Sequence, residues 1–181
     1  GDNAIIIENC DYNDVGSVLT GDSLSSTVGI LADDTNSDLT LNGTEVSGYA
    51  TGVSKENGVL FMIGDAEIAG TDYGVYAEDT YVYALVAHVD GGATGTGLHV
   101  VDSPDAWVYP MDASGAIGMY VENTPFRWDG GVSDATTALS VVDATGTVEN
   151  LTWSASTTQV NAGSNAHITS IGNTLDASKL V

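Results

Sequence analysis

A chain of 181 residues that carries 25 acidic side chains against three basic ones, for a net charge of −22, repels nucleic-acid phosphates and anionic lipid, which excludes both as partners. No run of 18 apolar residues is present to span a membrane, and the single cysteine, Cys10, excludes an internal disulfide. Glycine is frequent at 22 residues and Lys and Arg are scarce, a balance that favours strands and turns over helices.

The first element, Ala4-Ile5-Ile6-Ile7-Glu8-Asn9-Cys10, sets a seven-residue phrase that the rest of the chain repeats: small, apolar, variable, apolar, acidic, Asp or Asn, small. Further copies begin at Gly29, Gly52, Gly74, Gly97, Gly118 and Ala138, with a degraded eighth at Thr157. The first seven starts lie 25, 23, 22, 23, 21 and 20 residues apart. A period near 22 marks one supersecondary unit stacked many times.

Inside each copy the apolar residues alternate, which is the strand signature. Val75 with Ala77, Leu98 with Val100 and Met119 with Val121 are predicted to point inward, and the residue between them outward. The acidic and Asp/Asn pair that follows is turn chemistry, because Asn and Asp tolerate left-handed backbone. A second strand is predicted at Leu39–Leu41, Leu60–Met62, Val82–Ala84, Ala106–Val108 and Phe126–Trp128. A short third strand is predicted at Glu45–Gly48, Glu67–Gly70 and His88–Gly91. Three short strands per repeat define an all-β right-handed parallel β-helix of 7–8 coils, one domain over residues 1–181. The hand is the general preference of parallel crossovers. Where the chain opens, at Gly1-Asp2-Asn3, and where it stops, at Lys179-Leu180-Val181, a segment of a longer exported protein is expected, at the cell surface or outside the cell.

Residues one period apart become vertical neighbours in such a solenoid, so spacing turns into columns. Glu8, Asp33, Glu56, Glu78 and Glu122 share an acidic column that Val101 and Val142 interrupt. Asn9, Asp34, Asn57, Asp79, Asp102, Asn123 and Asp143 share the next. Glu56, Glu78, Asp79, Asp102 and Glu122 are candidate ligands of a Ca²⁺ ladder, since hard oxygen donors suit calcium. The competing reading is a ladder of ordinary turn residues. Two aromatic columns are predicted to face outward, Tyr76-His99-Tyr120 on the phrase strand and Phe61-Tyr83-Trp107, continued by Arg127, on the second strand. They are candidates to hold a polysaccharide, whose C–H faces pack on rings, or else to stabilise the solenoid by stacking. A one-residue slip of register would send both columns inward.

Leu39-Thr40-Leu41-Asn42-Gly43-Thr44-Glu45-Val46-Ser47-Gly48, followed by Gly52-Val53, resembles one coil of the right-handed parallel β-helix proteins of the pectin-lyase-like superfamily. The style is similar to that of the large acidic surface proteins of marine and halophilic microbes. This resemblance implies a fold and leaves the activity open, because the scaffold serves lyases, hydrolases, adhesins and stalks. Two functions are therefore expected: a non-enzymatic structural or adhesive module that contacts glycans, another surface protein or Ca²⁺ and self-associates end to end or by its edges, or a carbohydrate-active enzyme. The even spacing of the copies favours the first, since an enzyme interrupts its repeats with long loops that build a cleft.

Overall fold

The computed structural model describes residues 3–35, 37–154 and 157–181, and of residues 23–26 the backbone alone. It is a parallel β-solenoid of about seven turns. Every strand pairing among the described residues is parallel and joins one coil to the next. On the phrase face Ile5, Ile30, Val53, Val75, Leu98, Met119, Leu139 and Val160 are consecutive partners. The degraded eighth copy thus forms a rung, Thr158–Ala162. On the second face Tyr12, Leu39, Leu60, Val82, Ala106, Phe126, Gly146 and Ile168 stack in the same way. The third face runs from Val18 through Glu45, Glu67 and His88 to Asp112.

The core is the inward column of each face. Ile30, Val53, Val75, Leu98, Met119 and Leu139 are fully buried, as are Leu39, Leu60, Val82 and Ala106. Trp128 is fully buried in the core, and Trp153 packs partly buried against it. Each side chain touches only its own and adjacent coils, so stability accumulates coil by coil.

The corner between the phrase face and the second face is a one-residue hinge. Asn9, Asn57, Asp79, Asp102, Asn123, Asp143 and Asn165 all sit there with φ between 47° and 63°. Left-handed backbone costs other L-residues roughly 1–2 kcal/mol, and this is why the sixth position of the phrase is Asp or Asn. Inside the same corner runs a buried hydroxyl ladder. Thr80 N–H donates to Ser103 Oγ at 3.1 Å, and Ser103 N–H to Thr124 Oγ1 at 2.9 Å. The ladder satisfies backbone donors that the tight turn takes out of strand pairing.

Candidate functional site

The register places both aromatic columns outward, without the slip. Ser54, Tyr76, His99, Tyr120 and Ser140 are successive partners. So are Thr40, Phe61, Tyr83, Trp107 and Arg127. Ring geometry then separates the two columns.

On the phrase face the rings stack on one another. His99 lies 4.5 Å from Tyr120 at an interplanar angle of 8°, and 5.4 Å from Tyr76 at 15°. Tyr73 closes the side of the stack, edge-on to His99 at 5.0 Å. Tyr76 and Tyr120 donate their hydroxyls to Glu78 and Glu122, each at 2.6 Å. Burial first, and then donation to Glu122, pushes the Tyr120 phenol up to about 12, and Tyr76 moves in the same direction. Burial lowers the His99 imidazole, against the pull of Glu122 and Glu78, and its Nδ1 is buried without a partner. His99 is thus covered on both faces, and the column is a packed element of the wall.

The second-face column opens at one point. Phe61 and Tyr83 stack at 5.1 Å and 17°. Trp107 breaks the stack, 6.5 Å from Tyr83 at 74°. Its plane is therefore steeply inclined to that of Tyr83, out of line with the stack. Trp107 is 42% exposed, with Tyr109 at 50% on the same strand edge and Tyr81 at 44% one coil before. The next rung is Arg127, whose guanidinium pairs with Asp129 at 3.0 Å and Glu149 at 3.4 Å. Its charge is thus balanced within the protein.

The acidic columns behave as turn chemistry. Asn123 Nδ2 donates to Asp102 Oδ1 at 2.6 Å, and Asn165 Nδ2 to Asp143 Oδ1 at 2.7 Å. Asn9 N–H donates to Asp34 Oδ2 at 2.6 Å. Glu56 and Glu78 are direct neighbours, with Asp79 beside Glu78 in the turn, and Val101 separates them from Glu122. Partial burial, then Glu78, Asp33 and Asp79, raise the Glu56 carboxyl above its ordinary range. Among the described residues no three His, Cys, Asp or Glu side chains form a group that could hold a metal ion.

A concavity also lies on the third face, away from the columns. A groove of about 610 Å³ runs along it past Glu45, Glu67, His88, Asp90, Asp112 and Asp134. His88 Nδ1 faces Asp112 Oδ2 at 3.3 Å, and Asp112 Oδ1 accepts the Val132 N–H at 2.8 Å. The chain matches no family model, and the comparisons with curated proteins and with solved structures gave no match.

Proposed function

We propose that this solenoid is a non-enzymatic structural and adhesive module of an extracellular surface protein, built on a pectin-lyase-like β-helix, and that it holds neutral glycans at Trp107. The observation that carries this reading is the rotation of Trp107 out of an otherwise stacked column, which offers an apolar ring face to solvent between Tyr81 and Tyr109. A sugar packs its C–H face on such a ring, and the phenols and carboxylates around it are hydrogen-bond partners for its hydroxyls. A polyuronate or sulfated glycan meets a net charge of −22, which disfavours it. The same acidity suits a surface kept soluble in salt water, where screening shortens the Debye length to ~4 Å or less.

A glycan array tests the reading. Neutral polysaccharides are expected to bind, and Trp107→Ala is expected to weaken them tenfold or more, about 1.4 kcal/mol. Tyr120→Phe is expected to leave binding intact, because Tyr120 lies on the phrase face and Trp107 on the second face. Unaltered binding by the Trp107 variant removes the site. A second reading, a carbohydrate-active enzyme, draws on the third-face groove, where Asp90, Asp112 and Asp134 line successive coils. Paired carboxylates are what glycoside hydrolysis uses. Turnover of a polysaccharide that Asp112→Asn abolishes would put this second reading in place of the first.

A further inference from the structure

Lys55 stands at the fourth position of its phrase copy, where other copies carry Ile7, Ala32, Ala77, Val100, Val121 and Val141. It points into the solenoid and is completely buried. Its strand partners are Ala32 and Ala77, two short side chains that leave room for a long stem.

Three residues on, the seventh position is Gly58, where the following coils have Thr80, Ser103 and Thr124. Those hydroxyls donate to the carbonyl two residues back: Thr80 to Glu78 O at 2.8 Å, Ser103 to Val101 O at 3.1 Å, Thr124 to Glu122 O at 2.9 Å. Gly58 has no hydroxyl, and the equivalent carbonyl, Glu56 O, accepts from Lys55 Nζ at 3.0 Å. Asn57 O accepts from the same nitrogen. A Cβ built on Gly58 would come within 3.4 Å of Nζ and 2.8 Å of Ser37 O, so the amine fills the space that the missing side chain vacates. Thr80 Oγ1, from the next coil, also lies 3.2 and 3.3 Å from the carbonyl oxygens of Lys55 and Asn57. Asp34, Asp38, Asp33 and Glu56 all lie near enough to favour a positive charge here.

Carbonyls and carboxylates around a compact positive centre are the environment of a bound metal ion. An ammonium has three donors and no acceptor, so a surround of acceptors suits the charged form and leaves the lone pair of a neutral amine unmatched. Burial lowers the lysine from its ordinary range while the four carboxylates pull it back. We propose that this corner is a cation site whose resident cation is the protein's own Lys55 ammonium. The early coils are then held by that ammonium without a divalent ion.

With Lys55 and Lys179 the only lysines, the side-chain ammonium NMR spectrum at neutral pH is simple to read. The expected result is a slowly exchanging ammonium signal that Lys55→Met removes, with Lys179 exchanging fast. In thermal melts at matched ionic strength, wild type is expected to keep its Tm in Ca²⁺ and in EDTA. Lys55→Met is expected to melt lower, in Ca²⁺ as in EDTA. A neutral Lys55 amine, a wild-type Tm that EDTA lowers, or a Lys55→Met variant as stable as wild type would each overturn the proposal. Should Lys55→Met fail to fold, the wild-type spectrum and melts decide it alone.

Discussion

Tyr76 and Tyr120 show how single side chains carry the acidic surface into the wall of the solenoid. Each phenol donates to the glutamate two residues on, so the Glu78 and Glu122 carboxylates are each held by a hydrogen bond from within the protein. The pairing has a pH signature with a definite sign. An unfolded tyrosine ionises near 10, whereas burial and Glu122 hold the folded Tyr120 to about 12. The folded state therefore keeps the proton longer, and the stabilisation is complete below pH 10 and lost as pH rises towards 12. Denaturation midpoints followed through that range should fall more steeply for wild type than for Tyr120→Phe. Parallel curves would mean that the phenol proton contributes nothing to the fold.

At the scale of the element, the first position of the phrase explains itself once the coils are stacked. Gly29, Gly52, Gly74, Gly97 and Gly118 form a column in which a Cβ on each would meet the carbonyl oxygen of the next coil's first residue at 2.6–2.7 Å. At Gly97 the obstruction is Gly118 O at 2.7 Å, with Ser114 O at 3.0 Å and Val89 O at 3.1 Å, all backbone and unable to swing aside. Gly97→Ala is expected to destabilise by about 1–3 kcal/mol, the cost of overpacking, as read by chemical denaturation. A neutral result would show that the coils can shift apart there.

Such periodic features were legible in the chain because a column is a spacing repeated. The inward Val75 and Ala77, the turn at Asp102 and the outward register of Tyr83 and Trp107 all follow from alternation and period. The ring orientations did not follow, since period says where a side chain starts and nothing about its χ angles; this is how Trp107 came to differ from Phe61. Lys55 was readable in principle, because alternation puts the fourth position inward whatever residue fills it. Its ammonium runs against that pattern, since lysine is almost never fully buried unless paired. The third-face groove was hidden for another reason: it depends on how the sheet curves between faces, to which no single residue testifies.

For the whole molecule, the dominant fact is charge against stacking. The 25 acidic side chains face three basic ones, and Lys55 and Arg127 are already engaged inside the fold or on its surface. Self-repulsion then opposes compaction at every coil. Raising NaCl from ~0.01 to ~1 M contracts the Debye length from ~30 to ~3 Å, so Tm should climb steadily over that range. A flat profile would mean that the carboxylates are too far apart to oppose the fold. The stacked coils also define how the protein answers a pull. Each coil packs some 22 residues of chain into a single strand-to-strand rise. Fully extended at ~3.4 Å per residue, a coil that peels away from an end would release about 70 Å of tether for less than 5 Å of rod given up. Under tension along its axis, the repeat is a reel that yields length in equal steps while the coils behind it stay wound.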